Sequence, residues 1–467
     1  MSTSESTTAF YELRALLGED SVLPGDTRQY LSDYSETHNL RGRADAVAVP
    51  RDADAVAATV RWGDAHDVPM TPRGGGTGLA GGAVPLDGGV VISLERVSGP
   101  VTLEPELWRA HVPAGTVTGD FQRRARESGL LYAPDPGALE QSQIGGNIAT
   151  NAGGPHAFKY GVTGTWVRGL EVVLPSGEQM TIGGPARKDV AGYDLRSLIV
   201  GSEGTLAIVT AAWLRLVPAP EVVLPVVAFY RDVDAGCAAL AMVMGSGLQP
   251  AALEYLDEPA VAAAIRAFPG DTPAGPAFML IAEADGSAAE AARLQGELLE
   301  AMGPGALGTY APSERGAIRE LWRWRGGVGP AVTTARGGKV SEDIVVPLEY
   351  LAEAIVATRE IGERHGLPAC SWGHAGDGNL HSTFMIDAED DAEAQRAEAA
   401  VEELYRLAVR LGGTVSGEHG LGAAKGGALA LQWSAPALDL HEAVKRLFDP
   451  KGLLNPGKKL ARVGGTG

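Results

Sequence analysis

Cysteine is scarce in this 467-residue chain, which contains only Cys237 and Cys370. Two cysteines can supply neither the disulfide framework of a small secreted protein nor the four thiolates of an iron–sulfur cluster. Basic residues are few as well: 39 lysines and arginines stand against 58 aspartates and glutamates, and the formal net charge is -19. That charge argues against nucleic acid and anionic membrane surfaces as partners. An anionic substrate needs a local cationic pocket against this global field.

Long apolar runs are also missing. The first residues, M-S-T-S-E-S-T-T, are polar and give no sign of a signal peptide, and no stretch reaches the length of a membrane span. We therefore expect a cytoplasmic protein without membrane segments. The length predicts two or three domains, each long enough to bury a core.

Histidines cluster in two glycine-rich segments of the C-terminal part of the chain. Of nine histidines, three fall in two glycine-rich segments: G-H-A-G-D-G-N-L-H, from Gly373 to His381, and S-G-E-H-G, from Ser416 to Gly420. Together these segments hold His374, His381, Glu418 and His419. Two imidazoles, a carboxylate and a further histidine are the parts of a metal site with an adjacent base. The alternative is that these are polar residues of ordinary glycine-rich turns.

Short apolar strands alternate with helical patterns along most of the chain. Val47–Val49 reads as a strand, and the apolar residues from Ala53 to Val60 follow helical spacing. The run P-A-P-E at 218–221 is the best linker candidate. After it, strands and helices restart at Val222–Tyr230 and continue to a helix at Ala288–Met302. This second part predicts an α+β domain with an antiparallel sheet.

A glycine-rich segment, R-G-G-G-T-G from Arg73 to Gly78, overlaps a G-x-G-x-x-G match at Gly76–Gly81. The Rossmann interpretation needs a helix directly afterwards, and Pro85 with the following glycines excludes one. Successive small residues can instead turn backbone N–H groups toward a phosphate, with Arg73 adding charge. A flexible surface loop is the alternative. Two further segments of this kind, Gln143–Gly154 and Gly201–Ile208, predict a long ligand lying across three loops.

In combination and order, these segments resemble the flavin-binding oxidoreductases of the vanillyl-alcohol-oxidase type. The resemblance is strongest to the D-2-hydroxyacid dehydrogenases, among them D-lactate and D-2-hydroxyglutarate dehydrogenases and the flavin subunit of glycolate oxidase. It extends from about Val47 to Lys458. It implies an α+β fold with a two-part FAD-binding domain and an α+β cap domain built on an antiparallel sheet. The expected parts are a helical lead-in (1–42), the FAD-binding domain (43–220), the substrate or cap domain with the metal site (221–445) and a C-terminal segment that returns to the flavin (446–467).

The resemblance also implies the residues that bind FAD. Arg73 to Gly78 would cradle the pyrophosphate, and Asn455 and Lys458 would return to the flavin. The segment from Arg73 to Ala83 contains no histidine or cysteine that could attach the flavin, so we expect non-covalent FAD and a structural role for His156. The expected contacts are Arg73, Gly74, Gly75, Gly76, Thr77, Gly78, Pro134, Asp135, Pro136, Ser142, Gly145, Gly146, Asn147, Thr150, Glu203, Gly204, Ile208, Asn455 and Lys458.

For the second domain, the resemblance implies a metal and a substrate site. His374, His381 and Glu418 would bind a divalent metal, zinc first, with manganese or iron as alternatives. His419 would be the base, and Arg325 and Lys339 would hold the substrate carboxylate. Arg325 could alternatively be a surface arginine stacked on a neighbouring tryptophan, and Lys339 a solvated lysine.

Two positions depart from the 2-hydroxyglutarate enzymes. Those enzymes tend to have a hydroxyl residue at Gly329 and asparagine at Thr383. On a strand, Thr383 would share a face with His381 and reach the substrate. A smaller, less polar lining weakens the case for a dicarboxylate substrate.

The resemblance therefore predicts an FAD-dependent dehydrogenase that oxidises a D-2-hydroxy acid to the 2-oxo acid with the help of a metal. A chain with two cysteines holds no relay of its own, so electrons would pass to a separate acceptor such as quinone, a cytochrome or an electron-transfer flavoprotein. Oxygen is a further candidate for the electron acceptor. A homodimer is a candidate for the oligomeric state. Two alternatives stay open: a flavin subunit of a glycolate-oxidase-like complex, itself inactive in the extreme case, and a zinc hydrolase whose glycine loops are only structural.

Overall fold

The structure is a computed structural model that describes residues 3–35 and 40–460. Parts of the predicted lead-in and tail, residues 1–2, 36–39 and 461–467, lie outside the described residues. The chain divides into two units. The first comprises Met1–Gly153, Gly161–Pro218 and Glu418–Gly467; the second comprises Gly154–Tyr160 and Ala219–Gly417. The division after Pro218 lies within the run P-A-P-E, and the first unit takes in the chain again from Glu418.

The regular elements are numbered in chain order. The helices are α1 (Thr3–Leu17), α2 (Ala53–Ala65), α3 (Thr118–Glu127), α4 (Ile144–Thr150), α5 (Ala157–Tyr160), α6 (Leu195–Ile199), α7 (Val233–Gly245), α8 (Glu258–Ala264), α9 (Ala288–Met302), α10 (Arg315–Gly326), α11 (Val328–Arg336), α12 (Leu351–Arg364), α13 (Asp391–Arg410), α14 (Leu429–Gln432) and α15 (Ala435–Phe448). The strands are β1 (Val22–Pro24), β2 (Ala46–Ala48), β3 (Met70–Arg73), β4 (Val90–Ser93), β5 (Thr102–Glu104), β6 (Arg109–Pro113), β7 (Leu130–Leu131), β8 (Val167–Val173), β9 (Gln179–Gly183), β10 (Ile208–Arg215), β11 (Val217–Pro218), β12 (Val222–Tyr230), β13 (Ala252–Asp257), β14 (Phe278–Gly286), β15 (Gly308–Tyr310), β16 (Gly338–Val345), β17 (Ala369–His374) and β18 (Asn379–Ile386).

The first unit contains two principal sheets. One has the order β1-β2-β4-β3, with β4 parallel to both β2 and β3. The other has the order β5-β6-β10-β8-β9 and is antiparallel throughout. Helix α2 begins where the Asp52 side chain accepts a hydrogen bond from the Ala55 amide, and its apolar face packs into the core of this unit. A two-part domain of this kind is what the resemblance implied.

The C-terminal segment completes the first unit at the edge strand β3. Met70 and Leu454 form a parallel β-bridge, with N···O distances of 2.8 Å from the Met70 amide to Leu453 and 2.7 Å from the Asn455 amide to Met70. Leu454 is fully buried in the same core as Met70. The chain end therefore supplies both main-chain pairing and core packing to residues far away in sequence.

The second unit is built on one seven-stranded sheet of order β15-β12-β14-β13-β17-β18-β16, in which all neighbours are antiparallel. Strand β12 and helix α9 have the bounds that the sequence predicted. On α10 the buried residues Ile318, Leu321, Trp324 and Arg325 follow helical spacing, so one stripe of this helix faces the core. The α+β prediction for this part of the chain is confirmed.

A short excursion, Gly154–Tyr160, belongs to the second unit although it lies between two stretches of the first. His156 Nε2 lies 2.9 Å from Glu283 Oε1, and both Lys159 and Tyr160 bond to Asp285 on the same strand, β14. Phe158 packs so closely on Gly376 that a Cβ there would lie 2.5 Å from its ring. The expected structural role of His156 agrees with this contact.

Within residues 3–35 and 40–460, no helix combines the length and the apolar character that a membrane span requires.

Candidate functional site

Two of the predicted cofactor segments lie against each other in the first unit. A Cβ on Gly74 would be 3.3 Å from Gly146 Cα, and a Cβ on Gly75 would be 2.1 Å from the Gln141 carbonyl oxygen. Side chains are excluded from this junction, so the two backbones themselves form its walls. The glycines thus permit close approach of main chain, as a cofactor cradle requires.

The second segment is not the loop that its glycines suggested. Residues Ile144–Thr150 form helix α4, which ends at Asn151 with a left-handed φ of 52°. The helix packs closely here, because a Cβ on Gly145 would lie 2.7 Å from the Ala114 Cβ. Only glycine fits at this position. The prediction of a loop was wrong here, since the glycines serve close packing and not turn formation.

Arg73 binds main-chain carbonyls in this structure. It is the last residue of β3 and is buried, and its Nη1 and Nη2 donate to the carbonyl oxygens of Ser32 and Gln29, each at 2.7 Å. Burial lowers the pKa of Arg73. The guanidinium therefore holds residues 29–32 beside the glycine segment. An ion pair between Arg73 and a phosphate of the cofactor stays a prediction.

Thr118 binds two of the predicted cofactor residues, Ser142 and Asn147, and was not itself predicted from the sequence. The Thr118 hydroxyl oxygen accepts from Ser142 Oγ at 2.9 Å and from Asn147 Nδ2 at 2.7 Å. All three residues are buried. Ser142 and Asn147 are thus held in place by one hydroxyl on α3, while Thr150 bonds back to the Gly146 carbonyl at 3.2 Å.

A buried acceptor at the glycine junction fits a bound flavin. The side-chain oxygen of Gln143 is buried and has no hydrogen-bond partner within the described part of the chain. It lies 3.7 Å from the position of a Cβ on Gly74. A buried acceptor without a donor is rare and calls for an explanation, and a flavin ring N–H or ribityl hydroxyl is a donor of the right kind.

Glu203 ties three predicted segments together. Its carboxylate oxygens accept from the amides of Leu421 and Gly422 at 2.9 and 2.6 Å, and Lys459 Nζ lies 3.3 Å from Oε1. The Asn455 side-chain amide donates to the carbonyl oxygens of Glu203 and Gly82 at 2.7 and 2.9 Å. Glu203 therefore anchors the segment that follows His419.

The remaining predicted cofactor residues are placed as follows. Thr77 and Gly78 continue the first glycine segment, and the Gly78 carbonyl accepts from the Tyr34 amide at 2.9 Å. Pro134, Asp135 and Pro136 follow β7, and the Pro134 carbonyl accepts from Gln122 Nε2 at 2.8 Å. Gly204 has a φ of 69°, Ile208 begins β10, and Lys458 Nζ donates to the Val84 carbonyl at 2.5 Å.

The two predicted histidine ligands lie on adjacent strands. His374 ends β17 and His381 lies in β18, with ring centroids 5.3 Å apart at an interplanar angle of 84°. Both are buried. His374 Nδ1 is 2.6 Å from Glu254 Oε1, so Nε2 is the ring nitrogen that Glu254 does not contact.

The third predicted ligand follows directly from an anchored turn. The Gly417 amide donates to Asp343 Oδ2 at 2.8 Å, and Asp343 is the register partner of His381. Glu418 is the next residue, and one ligand atom from each of His374, His381 and Glu418 lies within 4.8 Å of the others. Two imidazoles and a carboxylate suit zinc or manganese. His419 Nε2 lies 4.0 Å from Glu418 Oε1.

Arg325 is a buried member of this constellation and not a surface residue. Its Nη2 donates to Glu254 Oε2 at 2.5 Å, while its Nε is buried and without a partner among the described residues. Burial raises the pKa of Glu254, but its contacts with His374 and Arg325 outweigh burial and hold the pKa below its usual value. The alternative of a solvent-facing arginine is wrong, and a buried guanidinium with an unused donor fits an incoming carboxylate.

Lys339 is partly buried. Its ammonium donates to the Gly329 carbonyl at 3.1 Å and lies 5.2 Å from the centre of the Trp372 ring. Burial lowers its pKa. A Cβ on Gly329 would stand 3.0 Å from Nζ, so a side chain at this position would displace the ammonium. These contacts favour an ammonium held by the protein over the alternative of a solvated lysine.

Thr383 lies on the face of β18 that also carries His381, as expected for residues two apart on a strand. Its hydroxyl lies 2.8 Å from Ser341 Oγ on β16.

Glu254 is the residue that sequence reasoning missed. It is fully buried in β13, in the run A-L-E-Y-L-D, and pairs in register with His374. The available signal was a lone glutamate among apolar strand residues, since a buried carboxylate needs a charged partner. Its partners could not be named without the strand pairing.

Comparison with known proteins agrees with the two-part organisation. Residues 44–183 match the family model described as "FAD binding domain", and residues 219–459 match "FAD linked oxidases, C-terminal domain". The chain is 36% identical over 454 residues to the glycolate oxidase subunit GlcD of Bacillus subtilis (strain 168), covering 97% of this chain and 96% of the relative. It is 32% identical over 458 residues to a D-lactate dehydrogenase of Anaerostipes hadrus, covering 95% and 94%.

Solved structures share the fold at low sequence identity. p-Cresol methylhydroxylase with substrate bound aligns with a TM-score of 0.79 at 18% identity, over 99% of this chain and 98% of the other. The 4-ethylphenol oxidase of Gulosibacter chungangensis aligns with a TM-score of 0.78 at 19% identity, over 98% of both chains.

Proposed function

The chain belongs to the family of FAD-linked oxidases, and from this premise we propose that it is a dehydrogenase of small 2-hydroxy acids. The substrate would be a D-2-hydroxy acid such as D-lactate, or glycolate, and the product the 2-oxo acid. The relatives support this class, since one is a glycolate oxidase subunit and another a D-lactate dehydrogenase. Both names refer to 2-hydroxy acids.

The observation that carries the proposal is the buried Arg325. In a chain of net charge -19, a guanidinium that is almost completely buried and keeps an unused Nε–H is an unusual feature. It shares Glu254 with His374. A carboxylate bound by Arg325 would gain a charge-assisted hydrogen bond, of about 1.5–3 kcal/mol. We assign substrate carboxylate binding to Arg325, with the Lys339 ammonium as a second cation.

His419 is the proposed base. An imidazole suits proton removal near neutral pH, and the substrate hydroxyl is the group that must lose its proton. His374, His381 and Glu418 would hold a divalent metal, and Arg73 to Gly78, α4, Glu203 and Asn455 would line the FAD site. When bound, FAD would supply the hydride acceptor and the metal would supply a Lewis acid for the hydroxyl oxygen.

The proposal includes a separate electron acceptor. Cys237 is partly exposed and Cys370 is buried, and two cysteines hold no iron–sulfur cluster. Quinone, a cytochrome or an electron-transfer flavoprotein are the candidates. A subunit of a glycolate-oxidase-like complex is the second candidate function, favoured by the relative that is itself named a subunit. The hydrolase alternative is wrong, because the glycine segments lie in the part of the chain that matches an FAD binding domain or next to it.

The test is anaerobic stopped-flow bleaching of the flavin against D- and L-lactate, glycolate and D-2-hydroxyglutarate, with metal per chain measured on the same samples. We expect bleaching by D-lactate or glycolate and weaker bleaching by the dicarboxylate. Acid precipitation should release the flavin into the supernatant, since the segment Arg73–Ala83 has no residue to attach it. A flavin that none of these acids reduces would contradict the proposed reaction.

A further inference from the structure

Three polar side chains of the second unit form a continuous hydrogen-bonded chain, Arg325–Glu254–His374. Glu254 uses its two carboxylate oxygens separately: Oε1 lies 2.6 Å from His374 Nδ1 and Oε2 lies 2.5 Å from Arg325 Nη2. We propose that Glu254 is a positioning residue that fixes the metal-binding tautomer of His374 and the orientation of Arg325. This inference rests on the proposed function, because it takes His374 as a metal ligand and Arg325 as the carboxylate binder.

Strand pairing makes the contact between Glu254 and His374 rigid. The two residues are register partners on the antiparallel strands β13 and β17. Glu254 is fully buried and His374 is 5% exposed. Neither side chain can turn away without breaking a buried polar contact, which is costly. The sheet therefore holds both side chains in the conformation that forms this hydrogen bond.

The chemistry of a carboxylate then decides the tautomer. An ionised carboxylate only accepts hydrogen bonds, so the proton between Glu254 Oε1 and His374 resides on Nδ1. In the neutral imidazole that a metal requires, the lone pair must then be on Nε2. A carboxylate on the remote ring nitrogen also raises the basicity of the ligating one, as in other carboxylate–histidine–metal arrangements.

The same carboxylate orients Arg325. Because Glu254 occupies one Nη2 donor, the guanidinium plane is set by a residue of the sheet and not by its own helix alone. Its Nε stays unpartnered among the described residues. The Glu254 carboxylate thus contacts both the proposed metal ligand, His374, and the proposed carboxylate binder, Arg325. Loss of its charge should weaken metal binding and substrate binding together.

If Glu254 has only a structural role, a different result is expected on its replacement. If Glu254 only neutralises the buried Arg325, its replacement lowers stability but leaves metal affinity alone. Glu283 is a matched control for this possibility. It is a buried strand glutamate on the neighbouring β14, with His156 Nε2 at 2.9 Å and Trp322 Nε1 at 2.6 Å. It bonds to neither His374 nor Arg325.

The experiment compares wild type, Glu254→Gln and Glu283→Gln as full-length FAD-loaded proteins. Zinc affinity is measured by competition with a fluorescent chelator in the absence of substrate, and KM for the best acid by steady-state kinetics. We expect Glu254→Gln to bind zinc about 10–100-fold more weakly and to show a raised KM with unchanged FAD content. Glu283→Gln should bind zinc as the wild type does.

A second measurement needs no variant to fold. In metal-free wild type, ¹⁵N NMR of His374 should show a protonated Nδ1 and an unprotonated Nε2. The opposite tautomer would overturn the inference, as would a Glu254→Gln protein with wild-type zinc affinity. Wild type that binds no zinc or manganese at all would instead overturn the metal ligation assumed under the proposed function.

Discussion

The side-chain amide of Asn455 donates to the backbone carbonyl of Glu203 at 2.7 Å, and both residues have left-handed backbones, with φ of 47° and 56°. The two residues are 252 positions apart in the sequence. Left-handed backbone is uncommon outside glycine and is tolerated best by asparagine and aspartate. This pair therefore joins two turns, each of which places main chain where the FAD site is proposed.

Asn455→Asp should lower FAD occupancy and stability. The aspartate keeps the size and the left-handed tolerance, but it brings a carboxylate oxygen to two carbonyl oxygens, those of Glu203 and Gly82, that now accept from the amide. We expect a loss of about 1–3 kcal/mol in unfolding free energy. Flavin absorbance per chain and urea unfolding measure the two effects.

Asn151→Asp is the matched control for this substitution. Asn151 also has a φ of 52°, but its side chain accepts from the Gly164 amide at 2.8 Å through Oδ1. An aspartate preserves that acceptor, so FAD content should stay near wild type. Equal effects of the two substitutions would show that the amide donors of Asn455 have no special role.

Arg325→Lys should raise KM for the acid substrate by about 10-fold or more with FAD content unchanged. Lysine keeps a positive charge beside Glu254, but it cannot present several fixed donors to a carboxylate. Steady-state kinetics and flavin absorbance are the measurements. Arg359→Lys, on an exposed contact to Glu258 at 3.5 Å, should leave KM unchanged. Wild-type kinetics in Arg325→Lys would remove Arg325 from substrate binding.

His381→Ala and His419→Ala should separate a metal ligand from the base. Loss of His381 should reduce metal per chain and abolish flavin reduction. Loss of His419 should leave metal content near normal and slow reduction by about 10²–10⁴-fold. Elemental analysis and anaerobic stopped-flow absorbance give the two readouts.

His365→Ala is the histidine control for this pair, since His365 bonds to Glu403 at 3.1 Å and lies in no predicted ligand set. It should keep both metal and activity. An active His419→Ala protein would exclude His419 as the base.

Asp257→Asn should change how stability depends on pH. Asp257 is fully buried, caps α8 through the Ala260 amide at 3.2 Å, and has a carboxylate oxygen, Oδ2, with no partner in the described residues. Burial raises its pKa to about 7 from an ordinary 3.8. The folded state thus keeps a proton that the unfolded chain loses, and wild-type stability falls as pH rises from about 4 through 7.

Asparagine caps a helix about as well as aspartate and cannot ionise. The variant should therefore gain on the wild type by up to about 4 kcal/mol between pH 4 and 8. Urea unfolding of both proteins at pH 5 and pH 8 measures the difference. Parallel pH profiles would show that Asp257 does not contribute to this dependence.

Much of the fold could be predicted from the sequence because local patterns agree with tertiary structure. The strand at Val222–Tyr230 and the helix at Ala288–Met302 have strong apolar patterns and clear ends, and both have the predicted bounds. The failure at α4 has a physical cause. Gly145 and Gly146 have poor helix propensity, but contact with neighbouring backbone overrides it in this packed position.

Fewer features of the candidate site than of the fold could be predicted from the sequence. Histidines in short motifs could be recognised because their spacing is local. Glu254 and Thr118 could not, because each contributes through partners that strand pairing or helix packing brings from distant positions. Arg73 was recognised as important, but its carbonyl partners at Ser32 and Gln29 lie in a segment without a distinctive pattern.

The bridge between Met70 and Leu454 has a consequence for biosynthesis. Domains of a growing chain usually fold in order from the N-terminus. Here the edge of β3 has no main-chain partner from the C-terminal segment until Leu453 to Asn455 have been translated, after all of 219–417. The second unit is therefore fully translated before the first, and until the C-terminal segment is made β3 is paired only with β4. Loading of FAD is accordingly expected as a late event, and a stop codon ahead of Leu453 would leave the seven-stranded sheet whole while the cofactor unit stays unfinished.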